Sequence, residues 1–207
     1  MMKFVRQYFE FLLIGFCLFT LLMLLLNIDF SDRLIVVSIA LLAFYYLLSG
    51  ALVLFNKQVL HGMRLIYFIG LWSITVGLIG IVYKLRFWYN SDMLLLFAIT
   101  FNMVTLIFMF GYWHTSKKDL KDILTSQLKP ILYRLLAFPL FFFLFYSSSH
   151  YWLYERIGPH RDDPKYMQLY LKALENPNDY ESQQEYKNYE IKKFNLNDTT
   201  GSSGERR

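Results

Sequence analysis

The chain is 207 residues long, of which 56% are apolar, 19% aromatic and only 18% charged, against about 25% charged in soluble domains. Of its 37 Lys, Arg, Asp and Glu residues, 19 follow residue 150, so the part before them has too little polar cover to hide its apolar surface from water. The net charge of +5 is no nucleic-acid signature either, because the tail from Tyr151 holds nine basic and ten acidic residues and the excess lies among the apolar runs.

This pattern predicts an all-α, polytopic membrane helix bundle with about five transmembrane helices. The first span is expected over 8–28. Twelve of the sixteen residues from Phe11 to Leu26 are Leu, Ile or Phe, each favouring insertion by about 0.3–0.6 kcal/mol. Lys3 and Arg6 precede this run, as in a signal peptide, but Asn27-Ile28-Asp29-Phe30 offers no small-residue cleavage site. A retained anchor is therefore expected. The single cysteine, Cys17, lies inside the run and has no intrachain disulfide partner.

Further spans are expected over 34–55, 65–83, 93–113 and 131–148. Each can cross a ~30 Å hydrocarbon core as a helix. The runs are continuous rather than alternating, which argues against strands. The third span carries Gly70, Ser73, Gly77 and Gly80 at spacings of three, four and three. Such a stripe lets helix backbones approach closely, either inside the bundle or against another subunit. In the fourth span Asn102 is the polar residue of most interest, read as a hydrogen bond to a neighbouring helix. Glu10 and Arg134 lie near span ends on one side of the membrane and can pair if their helices are neighbours.

Between the fourth and fifth spans, 116–129 reads as a short amphipathic connector. Ser116 and Asp119 suit a capping pattern, Leu120, Ile123, Leu124 and Leu128 share a face, and Pro130 suits the start of the next helix. Lys117, Lys118, Lys121 and Lys129 make it a basic membrane-surface helix, able to recruit anionic lipid or serve as a plain solvated connector. Loops on the N-terminal side carry eight Lys and Arg residues and those on the other side three, Arg33, Lys84 and Arg86. The bias predicts a cytoplasmic N-terminus and, after an odd number of spans, an extracytoplasmic tail. Aromatic residues at Phe87-Trp88-Tyr89, Tyr112-Trp113, Tyr146, Tyr151, Trp152 and Tyr154 suit the headgroup level.

The tail 151–194 is expected to be helical. Asp163-Pro164 reads as an N-cap followed by a first helical residue, with Met167, Tyr170, Leu171 and Leu174 on one face of a helix ending near Asn176-Pro177. A Tyr-rich second helix follows, and the polar stretch 195–207 is expected to be disordered. The two helices are too few residues for a robust core of their own.

The turn Tyr83-Lys84-Leu85-Arg86-Phe87-Trp88, followed by Asp92-Met93-Leu94-Leu95, resembles the FK-x-x-HWPG turn that joins two membrane helices in gliding-motor stator subunits. It lacks the His, Pro and Gly of that turn, and no function is carried over.

No GxSxG, HExxH, CxxC or phosphate-loop pattern is present, so no catalytic, cofactor-binding or metal-binding residue is expected. His160-Arg161-Asp162-Asp163 has ligand types without ligand spacing. The leading expectation is a non-catalytic integral membrane subunit or accessory scaffold protein of a larger complex in a bacterial plasma (inner) membrane. Its expected partners are the lipid bilayer and other membrane subunits, with no nucleic acid. One alternative is a small transporter or channel-like protein for an apolar or weakly polar solute, which requires a cavity reaching Asn102 and Thr105. Another is a membrane-embedded lipid-modifying enzyme in which His150, Glu155, His160 and Asp162 converge.

Overall fold

A computed structural model describes the backbone of residues 2–26, 28, 31–57, 59–116, 118–158 and 163–201, and the side chains of 8–26, 28, 31, 33–57, 59–116, 121–155, 157–158 and 163–193. Every regular element among the described residues is helical: α1 (Met2–Leu25), α2 (Ser31–Phe55), α3 (His61–Leu85), α4 (Ser91–Thr115), α5 (Lys118–Ser147), α6 (His150–Ile157), α7 (Pro164–Glu175) and α8 (Tyr180–Gly201). Five of these helices, α1 to α5, are long and apolar enough to cross a membrane. At 1.5 Å per residue, a 25-residue helix such as α3 is about 37 Å long, more than the hydrocarbon thickness requires.

Two compact units make up the chain. The first comprises 1–86 and 90–148, and the second comprises Phe87–Tyr89 and 149–207. In the first unit α3 is the central helix and packs on α2, α4 and α5, while α1 packs on α2. Half of the α3 span is buried against 22% of α1, so α1 leaves most of its surface uncovered by the other helices. The small residues of α3 are what allow this central place. A Cβ at Gly77 would lie 2.3 Å from the Phe142 ring of α5, and one at Gly70 would meet Leu135 of α5 at 3.1 Å and Thr105 of α4 at 3.3 Å. At Gly80 the neighbour is Leu95 of α4, at 3.1 Å.

Helix α5 differs from the sequence expectation. Residues 118–129 do not form a separate connector but are the first turns of one unbroken helix that continues through the fifth span, with Pro130 and Pro139 inside it. The physical reason is a single apolar stripe. Leu124, Leu128, Ile131, Leu135 and Phe142 are all buried, at spacings of three, four and seven, and ending the helix at Pro130 would break their common face. A proline removes one backbone donor and invites a kink, but packing on both sides of it outweighs that loss.

The second unit has a core of Phe87, Leu153, Tyr154, Tyr166, Met167 and Leu171, with Tyr170, Tyr186 and Tyr189 packed against it. Helices α7 and α8 pack together, and α6 packs on α7. Asp163 caps α7, its carboxylate accepting from the backbone N–H of Lys165 at 3.1 Å and of Tyr166 at 3.2 Å, and Pro164 follows as the first helical residue. Helix α8 continues to Gly201, beyond Phe194, where a disordered tail was expected to begin. Once a helix is nucleated, each further residue adds a hydrogen bond at little extra cost.

Candidate functional site: polar locks and an apolar crevice

Two polar clusters sit inside the first unit, and each joins three helices. In the first, Arg134 of α5 turns a fork on Glu10 of α1: Nε donates to Oε1 at 2.6 Å and Nη2 donates to Oε2. Tyr46 of α2 donates its hydroxyl to Glu10 Oε1 at 2.7 Å, and Tyr45 reaches Oε2 at 3.4 Å. The pair that the sequence allowed is therefore made, and it ties three helices together. Between two and three turns further along, the hydroxyls of Thr20 on α1 and Ser38 on α2 lie 2.8 Å apart.

The second cluster was not legible in the sequence. Lys84, read there as a loop charge, is the last basic residue of α3 and is only 1% exposed. Its ammonium donates to Asp92 of α4 at 2.5 Å and to the Tyr146 carbonyl of α5 at 3.1 Å. This cluster joins the ends of α3, α4 and α5. The signal available in the sequence was a Lys and an Asp on either side of one tight turn, which is too common to single out.

The small-residue stripe faces inward, with Gly70, Ser73, Gly77 and Gly80 all buried. Asn102 is also fully buried, but its hydrogen bond does not go to a neighbouring helix. Its Nδ2 donates to the Ala98 carbonyl of its own helix at 2.7 Å, and its Oδ1 has no hydrogen-bond partner among the described residues. The contacts of Gly70 with Thr105 and of Gly80 with Leu95 set an antiparallel register that places Ser73 opposite Asn102. The Ser73 hydroxyl, however, donates to the Gly70 carbonyl at 2.8 Å. Both side chains donate to carbonyls of their own helices rather than across the interface.

Of the basic residues on 116–129, Lys117 lies outside the described residues, as does the side chain of Lys118. Lys121 stands 4.9 Å from the ring centroid of Trp113, at the end of α4. Lys129 is exposed. Ser116 ends α4, its hydroxyl donating to the Tyr112 carbonyl at 2.6 Å, while the side chain of Asp119, its expected capping partner, lies outside the described residues. His160 and Asp162 lie outside the described residues; His150 is half-buried and Glu155 exposed. Among the described residues no three His, Cys, Asp or Glu side chains are grouped to hold a metal.

An apolar crevice of about 200 Å³ opens between α1, α2, α3 and α5, with Ile14, Leu21, Leu42, Leu78 and Phe138 among its lining residues. Neither Asn102 nor Thr105 lines it.

In the second unit, Asp163 does more than cap α7. It also accepts from the Tyr189 hydroxyl at 3.1 Å and from the Lys193 ammonium. The Lys193 contact is the main reason its carboxyl is held below the usual carboxylate range. The hydroxyls of Tyr166 and Tyr186 lie 3.0 Å apart and both turn to Glu190. Burial pushes the hydroxyls of Tyr154, Tyr166, Tyr170 and Tyr186 above their ordinary range, which keeps them neutral donors. Phe87 and Tyr154, read in the sequence among the aromatic residues at span edges, are buried in the core of the second unit. Phe87 sits at φ 54°, a left-handed conformation that costs a bulky residue roughly 1–2 kcal/mol. Its ring packs 5.0 Å from that of Tyr154, and its carbonyl accepts from the Tyr170 hydroxyl at 3.2 Å.

Fold and side-chain chemistry together define an integral membrane helix bundle with a helical, tyrosine-rich appendage. No known family, curated protein or solved structure matches the chain.

Proposed function

We propose that this protein is a non-catalytic membrane subunit that anchors and presents its tyrosine-rich second unit within a larger membrane complex. The observation that carries this reading is the use made of charge inside the bundle. Glu10, Arg134, Lys84 and Asp92 act as clamps between helices, and none of them lines the crevice. Ionisable groups inside a membrane mark pathways or relays when they face a water-filled space; here they tie one helix to another. We place the protein in a bacterial plasma (inner) membrane, with the second unit on the extracytoplasmic side. The excess of Lys and Arg on the N-terminal side, eight against three, supports that orientation. Blue-native electrophoresis of gently solubilised native membranes tests the reading. Migration within a larger assembly is expected, and recovery solely as a free protein of 24.8 kDa would contradict it.

A second reading, a carrier for an apolar solute, draws on the crevice between α1, α2, α3 and α5. Since Asn102 and Thr105 do not line it, such a carrier would rely on the apolar walls alone. Loss of solute flux on filling the crevice would favour it over the subunit reading.

A further inference from the structure

We propose that the crevice of the first unit holds one acyl chain of a membrane phospholipid, with the glycerol–phosphate end of that lipid against the Arg134–Glu10–Tyr46 cluster. The crevice lies within the membrane-spanning stretches of its four helices, so its open side faces hydrocarbon. Its walls are apolar side chains, and an engineered apolar cavity of about 150 Å³ stays dry and takes hydrocarbon guests. Along α1 the lining runs from Ile14 to Leu21 and along α5 from Ala137 to Phe145, a slot about 10 Å long parallel to the helices. That is the direction in which lipid chains run.

The polar cluster stands at one end of this slot. Glu10 precedes Ile14 by one helical turn, and Arg134 precedes Phe138 by one turn. The Phe138 ring meets that of Tyr46 edge-on at 5.3 Å. The Arg134 side chain is 26% exposed, and its guanidinium carries donors beyond the two turned on Glu10. Glu10 balances the charge of Arg134, so the cluster offers hydrogen bonds to ester and phosphate oxygens rather than a net positive charge. Zwitterionic and anionic phospholipids are therefore expected to bind alike. The driving force is packing. Lipid tails are as apolar as the walls, but an unfilled slot forfeits dispersion contacts that a seated chain restores.

The test uses the full chain in nanodiscs containing a phospholipid with a diazirine in mid-chain. After irradiation, adducts are expected on the peptides that contain Ile14–Leu21 and Ala137–Phe145. Filling the slot by Ala137→Trp, or from the opposite wall by Cys17→Phe, is expected to lower those adducts about tenfold, which the loss of about ten dispersion contacts accounts for. Adducts on the exposed α4 face around Ile107 and Phe108 are expected to persist and report that each variant is folded; two independent fillings keep the test decisive if one variant fails to fold. Equal labelling of α1, α4 and α5, or slot adducts unchanged in both variants, would overturn the proposal. So would a diazirine-bearing alkane that labels the slot as strongly as the phospholipid, since the polar end would then contribute nothing. A photoreactive residue at position 137 that captures another polypeptide instead of lipid in native membranes would assign the slot to a partner helix and overturn it too.

Discussion

The side chains that decide most are few, and each is costly to disturb singly. Glu10 is only 8% exposed and Arg134 26%, so deleting one leaves the other charge in a poorly solvated place. Removing one partner of a buried pair typically costs about 3–5 kcal/mol, whereas replacing both with apolar residues is often neutral. Arg134→Met and Glu10→Leu are each expected to lower stability in detergent by that order, and the double variant to recover most of it. Additive losses in a double-mutant cycle would show that the two charges act separately. Asn102 presents the opposite case. An unsatisfied buried amide oxygen costs about 1–3 kcal/mol, so Asn102→Leu is expected to leave stability unchanged or raise it by about 1 kcal/mol in denaturation assays. A clear loss would reveal a partner for Oδ1. Neither arrangement was open to sequence reading beyond its polar residues. Glu10 and Arg134 stood out as charges near span ends, but their pairing depends on α1 and α5 being neighbours, which no local pattern encodes.

At the scale of elements, close packing of α3 on α5 rests on Gly77. Any side chain there meets the Phe142 ring, with the first carbon 2.3 Å away. Overpacking of this kind typically costs about 1–3 kcal/mol. Gly77→Ala is expected to destabilise the bundle by that amount, and Phe142→Leu introduced with it to restore part of the loss, as read by thermal unfolding. The α7–α8 pair turns on Asp163, and here pH is the lever. Its carboxyl is lowered from an ordinary value of 3.8, chiefly by the Lys193 contact. A depressed carboxylate contributes stability that is present above its ordinary value and lost as pH falls through its folded value. Helicity of the second unit is therefore expected to decline below about pH 4, and Asp163→Asn to remove that part of the decline in circular dichroism. Identical acid profiles for the two proteins would refute the role. The sequence made the α7 start legible, because an Asp-Pro pair has a local mechanism. It did not reveal that 118–129 belongs to α5, since Pro130 is a local stop signal that only the stripe from Leu124 to Phe142 overrides.

For the whole molecule, orientation is the next quantity to measure. On the proposed orientation, with the N-terminus on the cytoplasmic side of five spans, a reporter enzyme active only outside the cytoplasm is expected to work when fused after Phe194. Activity only from a cytosolic reporter at that site would mean a reversed or missing span, while leaving the membrane assignment in place. The second unit bears on the same scale. Its core includes Phe87 from the turn between α3 and α4, so Phe87→Ala is expected to destabilise that unit by about 3–5 kcal/mol. Native-state hydrogen exchange on α7 and α8 would show it as lost protection. Phe87, Trp88 and Tyr89 read alike in sequence, as three aromatic residues at a membrane edge. Only one of them is buried.

The sequence by itself determined that the chain is an all-helical membrane protein with five apolar spans, because the preference of long uncharged runs for lipid is additive and local. It also determined where α7 begins, because capping acts over three residues. The tertiary structure alone decided which helices are neighbours. From that followed the pairing of Glu10 with Arg134, the burial of Lys84, the inward face of the glycine stripe and the slot beside Phe138. Those features depend on the relative placement of residues up to 124 positions apart, and in a uniformly apolar chain no short-range pattern distinguishes a lipid-facing side chain from a buried one.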